Sequence, residues 1–162
     1  MDVYDIKSKE EWQDILDDVS HELGIPASLA DNKNAILQSS GKRNELCLKI
    51  RANSQALTFI CGQTQQFMAE QAKSTKRPFI DACEAGMSKF VLPLFLKGEW
   101  VGSFTACGAC IPGNEIEDFI IQKNSGLSEE EINLLKVHVP QIEESKFVET
   151  ANRLFNELQK YA

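Results

Sequence analysis

The chain has 162 residues, 43% of them hydrophobic and 25% charged, the range of an ordinary globular protein with one core, so a single folding unit is expected. Seventeen Lys and Arg against 24 Asp and Glu give a formal net charge of −7, with no basic run to offset it, which argues against nucleic acid as a partner. No apolar stretch approaches the ~20 residues of a membrane span, and the N-terminus MDVYDIKSKEEWQD has no signal-type apolar core, so a cytoplasmic protein without membrane contact is expected.

Ser8 and Glu11 have capping-box spacing, and Trp12, Ile15, Leu16, Val19 and Leu23 follow at helical intervals. They predict an amphipathic helix stopped by Gly24 and Pro26. Ala27 to Ala30 and Ala35 to Gln38 flank the turn formers Asp31 to Asn34 and predict a small β-hairpin. From Asn44 the pattern turns helical, over Glu45 to Ala52 and again over Gly62 to Ala72, with Thr58 to Cys61 read as a short strand between them.

The densest β-type sequence runs from Pro78 to Cys110. Phe79 to Asp81 is extended after Pro78, Cys83 to Gly86 is a turn, and Phe90 to Leu96 and Trp100 to Ala106 form a hairpin about Lys97, Gly98 and Glu99. Cys107 and Cys110 stand in CxxC spacing where pairing is expected to stop. Pro112 and Gly113 then break the chain before a short helix containing Phe119 to Ile121. Ser128 and Glu131 form a second capping box that predicts a long helix kinked at Pro140. Beyond the proline, Phe147, Ala151, Leu154, Leu158 and Tyr161 make a heptad seam about two heptads long. That seam suits either packing on its own domain or a parallel homodimer.

Helices, a hairpin, a helical middle, a strong antiparallel hairpin and an exit helix are the element order of PAS-like and GAF-like sensors. Within it GIPASLADNKNAIL from Gly24, NELCLKI from Asn44, the lone Cys61, CEAGM at Cys83 to Met87 and FVLPLFLKGEWVGSF from Phe90 resemble the PocR sensory domain, over roughly Trp12 to Leu135. The turn more often reads Cys-His-Ala-Gly-Leu in that family, so Glu84 and Met87 depart from it and no imidazole stands there. The resemblance implies an α+β fold, a PAS/GAF-like antiparallel sheet flanked by helices. Residues 1–139 would be the sensory domain and 140–162 a signalling or dimerisation helix. It also implies a short alcohol, diol or related small molecule as ligand, with transcriptional, kinase or chemotaxis output.

Five cysteines are an odd number, so full disulfide pairing within one chain is impossible. Cys61, Cys83, Cys107 and Cys110, with Cys47 as a fifth candidate, are the soft donors of a zinc site or an iron–sulfur cluster. Buried inert thiols, or a reversible disulfide and thiol oxidoreductase chemistry at the CxxC, are the alternatives. His21 and His138 have no neighbour at ligand spacing, and no other catalytic motif is present. A non-enzymatic sensor is therefore expected, with a pure dimerisation adaptor as a further possibility. For the pocket, Phe90, Leu92, Phe104 and Ala106 are taken as inward residues, with Asp81 and Glu84 at its mouth; each aromatic suits core packing equally, because alternation does not fix the inward face of so apolar a run.

Overall fold

Ser8 accepts a hydrogen bond from the Glu11 N–H, and the Glu11 carboxylate in turn accepts one from the Ser8 N–H, so the chain's first long helix, α1 (Lys9–Leu23), starts where the capping box places it. Gly24, in the left-handed region, ends it. The computed structural model describes residues 1–162 as an α+β fold with a five-stranded antiparallel sheet. Its strands are β1 (Ala27–Asp31), β2 (Ile36–Ser40), β3 (Phe79–Ala82), β4 (Ser88–Leu96) and β5 (Glu99–Ala109), in the order β2-β1-β5-β4-β3. The other helices are α2 (Glu45–Ala52), α3 (Gln63–Thr75), α4 (Asp118–Ser125), α5 (Glu129–Lys136) and α6 (Glu144–Leu158). This is the α+β, PAS/GAF-like architecture expected, with the C-terminal helix in place.

Because strand side chains alternate between faces, the sheet sorts its residues into two layers. Ala27 and Leu29 of β1, Phe90, Leu92 and Leu94 of β4, and Phe104 and Ala106 of β5 share one face, where the main core joins them to Trp12 and Leu16 of α1 and Phe147, Ala151 and Leu154 of α6. The Trp12 and Phe104 rings stand 6.3 Å apart and those of Phe90 and Phe147 5.2 Å apart. The other face carries Ser28, Ala30, Lys89, Val91, Ser103, Thr105 and Cys107, and looks toward α2 and α3.

Four expectations change. Thr58 to Cys61 is not a strand: Leu57–Gly62 is a π-helical turn running straight into α3. Its β-branched and aromatic residues mimic a strand in sequence, while their carbonyls serve one continuous helical path. Pairing of β5 does not stop at Ala106 but continues to Ala109 through a bulge at Gly108, whose φ is +113°. The long helix from Ser128 is two helices, not one kinked helix. Pro140 has no N–H to continue a helix and disfavours helical geometry at Val139, and residues 137–143 instead form a strap. In it Pro140 O accepts from the Cys110 N–H at 2.8 Å and the Ile142 N–H donates to Cys110 O at 3.0 Å.

The heptad seam, finally, is satisfied within the chain. Phe147, Ala151, Leu154 and Leu158 are all buried in the main core, and the Lys97 N–H holds the following turn through the Tyr161 carbonyl. The residues read as a dimer seam therefore dock α6 onto its own sheet.

Candidate functional site

A cavity of about 530 Å³ opens on the sheet face opposite α1 and α6. Its floor is Ser28 and Ala30 of β1, Lys89 of β4, and Thr105 and Cys107 of β5, all on one face by register. One wall is α2, through Cys47, Ile50 and Arg51. A second is the π turn with the start of α3, from Leu57 to Gln66, and Cys83, Ala85 and Met87 close one end.

Local sequence explains each wall. Asn44 caps α2 by accepting from the Cys47 N–H at 2.9 Å, and its Nδ2 donates to the Gly108 carbonyl at 3.0 Å. One side chain thus starts the helix and ties it to the bulge beside Cys107. The π turn belongs to a class of helical irregularity common at functional sites, and Cys61 on it faces the cavity. At the closing end the Cys83 N–H bonds to Met87 O at 2.7 Å and the Gly86 N–H to Cys83 O at 2.9 Å. Gly86 is required there: its φ is +92°, and a Cβ would overlap the Glu115 carbonyl.

The structure brings Cys47, Cys61, Cys83 and Cys107 to one cavity, so two distant expectations, Cys83 at the turn and Cys107 on the hairpin, do converge. Cys110 does not join them. It is buried beside Val139 and held in the strap, and its place is taken by Cys47. Burial pushes the Cys47 thiol up to about 12, with further contributions from Cys107, Cys83 and Cys61 that Arg43 partly offsets. Burial likewise pushes Cys83 up to about 11 although the Met87 and Ala85 amides hydrogen-bond its sulfur, and it raises Cys110 too. Cys47 Sγ lies 3.3 Å from Met87 Sδ. All five cysteines are free.

No three His, Cys, Asp or Glu side chains are grouped so as to hold a metal ion. The CxxC, in turn, lies at the end of a paired strand with a bulge at Gly108, not at the turn before a helix that a thioredoxin-like pair occupies.

The remaining candidates sit elsewhere. Phe90, Leu92, Phe104 and Ala106 do lie together, each no more than 1% exposed, but on the α1–α6 side of the sheet rather than at the cavity. The inward face chosen from sequence was the other one. Asp81 is exposed and accepts from the Ala82 N–H at 2.7 Å, and Glu84 is exposed on the turn; neither lines the cavity. Sequence reading missed Lys33, Arg43, Arg51 and Lys89, all of which do line it. The one available signal was Lys89, the lone charged residue of the apolar strand SKFVLPLFL.

No helix is long and apolar enough to cross a membrane. No curated protein matches the chain. A family model described as the sensory domain found in PocR matches residues 5–162, and so takes in α6 as well as the sheet.

Proposed function

The chain belongs to the family of the sensory domain found in PocR, and from that premise we propose that it is a non-enzymatic cytoplasmic sensor whose small organic ligand occupies the cavity between the sheet and the α2–α3 layer. The observation that carries this reading is the cavity itself: about 530 Å³, with the apolar Ile50, Leu57, Ile60 and Met87 set among hydroxyl and amide side chains. That is the usual composition of a small-molecule pocket. The short alcohols and diols implied by the resemblance are the first compounds to test.

Output runs through β5. Cys107 faces the cavity, and three residues later Cys110 exchanges backbone hydrogen bonds with the strap that leads into α6. A ligand that binds two positions of β5 unequally shifts the strap and helix with it. The exposed face of α6 then passes the shift to a regulatory module or a second copy.

The test is a ligand titration followed by amide NMR, with resonances read at Thr105 and Cys107 and, separately, at residues 140–142. Paired shifts at both places are expected. A panel in which no compound moves the cavity resonances overturns the reading, and shifts confined to the cavity overturn the output route.

The convergence of four thiols supports a second reading, in which Cys47, Cys61, Cys83 and Cys107 hold a metal centre. With no single-ion grouping among them, the form that suits them is a polynuclear iron–sulfur cluster, in which each thiolate binds a different iron. Metal content and visible absorbance of anaerobically purified protein decide it. Cys47→Ser should abolish both signals and Cys110→Ser should leave them intact; a metal-free colourless sample, or equal loss in the two variants, removes this reading.

A further inference from the structure

Positive charge collects in this cavity although the protein as a whole is acidic. The chain carries a net charge of −7, yet the cavity is lined by Lys33, Arg43, Arg51 and Lys89 and by no Asp or Glu. The four come from different directions: the β1–β2 turn, the segment before α2, α2 itself and β4.

None of them has a protein counter-charge. The chain's two ion pairs are Lys136 with Asp118 and Arg153 with Glu22, and neither includes a residue that lines the cavity. Lys89 is the telling member, being only 8% exposed. No side-chain hydrogen bond or ion pair engages its ammonium, which keeps contact with solvent, so this cation stands free at the cavity floor for a ligand. Asp81 is its neighbour across the β3–β4 ladder, but that carboxylate accepts from the Ala82 N–H and makes no ion pair with Lys89.

Resting on the sensory reading of this cavity, we infer that its ligand is an organic anion, a carboxylate-type head group on a short apolar body, rather than a neutral alcohol. The head group would lie against Lys89 on the sheet floor and the guanidinium groups of Arg43 and Arg51, which suit carboxylate geometry. The body would lie against Ile50, Ile60 and Met87.

The experiment uses two matched pairs: lactate against 1,2-propanediol, and hexanoate against 1-hexanol. Each pair changes the head group and keeps the carbon chain. Binding is measured by calorimetry on the full chain at two ionic strengths. The carboxylate of each pair should bind at least tenfold more tightly, with a margin that shrinks at high salt. Lys89→Met should reduce that margin at least fivefold, Lys89→Arg should retain most of it, and Lys146→Met, an exposed cation on α6, should not change it. Circular dichroism and urea midpoints confirm that the variants fold. Alcohols that bind as tightly as their carboxylates overturn this inference and leave the sensory reading standing. Failure of both members of both pairs to perturb the cavity overturns the anion and weighs equally against the cavity as the sensory site.

Discussion

Replacing Phe90 by alanine decides which face of the sheet is core. Phe90 is fully buried, its ring 5.2 Å from that of Phe147, and its strand neighbours Leu92, Phe104 and Ala106 are sealed on the same side. The truncation removes a whole aromatic side chain from a site walled by β4, β5 and α6, none of which can close the gap alone. The expected cost is about 3–5 kcal/mol, and at about 2–4 °C per kcal/mol for a domain of this size the melting temperature should fall by roughly 6–20 °C. The companion change is Thr105→Val on the opposite face, which keeps the side chain's shape, removes a cavity hydroxyl, and should cost less than about 1 kcal/mol. Urea unfolding followed by far-ultraviolet circular dichroism measures both, with tryptophan fluorescence as a second probe of two-state behaviour. The reasoning fails if Phe90→Ala costs under 1 kcal/mol while Thr105→Val costs several, because the cavity and the core would then have exchanged faces.

Three other outcomes follow from the same geometry. Gly86→Ala should destabilise the fold by about 1–3 kcal/mol, since it forces a residue with a Cβ into a left-handed conformation and against the Glu115 carbonyl; an unchanged urea midpoint would contradict this packing of the Cys83 turn. With thiols held near 12 and 11, Cys47 and Cys83 should resist iodoacetamide at pH 8, where about one in 10⁴ and one in 10³ are ionised. Because their folded values lie above the ordinary 9.0, the stabilisation they contribute is complete below pH 9 and is lost as pH rises through 11 to 12; peptide mapping of alkylated sites and urea midpoints across that range check both parts. Arg153→Met removes the hydrogen-bonded pair with Glu22 that links α6 to α1. The pair is solvent-exposed and should contribute no more than about 1 kcal/mol. Its contribution is present above pH 4.5 and fades as pH falls through the lowered Glu22 value, so a larger loss at pH 7 in high salt would mean that Arg153 does more than pair.

Elements with local signals were legible in the sequence. The capping box at Ser8, the N-cap at Ser128, and the turn at Lys97 and Gly98 with both φ values positive, fix their elements by chemistry within a few residues. The convergence of Cys83 and Cys107 was legible for a related reason, since a turn and a strand end joined by a hairpin have few ways to separate. The inward face was not, because β4 is buried on both sides and its apolar run loses the alternation that would mark a half-exposed strand. The seam of α6 was ambiguous for an equally physical reason: an apolar stripe of helical period packs as well on a sheet as on a twin. The cations of the cavity were invisible in a chain whose overall charge is negative, because they are gathered from four separate segments and only the fold collects them.

The bulge at Gly108 gives β5 a change of parity. Before it, odd-numbered residues such as Thr105 and Cys107 face the cavity; after it, Ala109, also odd, faces the core with the even-numbered Phe104 and Ala106. The bulge therefore absorbs one extra residue without turning the strand over, since Ala109 still opposes Ser88 while the Gly108 carbonyl accepts from Asn44 Nδ2. Deleting Gly108 would keep Ala109 opposite Ser88 on the core face and Cys110 in phase with the strap, and would remove the carbonyl that ties the α2 cap to the sheet. The consequence is that the bulge acts as a tether and not as a phase setter: the residue it absorbs leaves the facing of the strand unchanged and supplies a backbone acceptor that joins the α2 wall of the cavity to its floor.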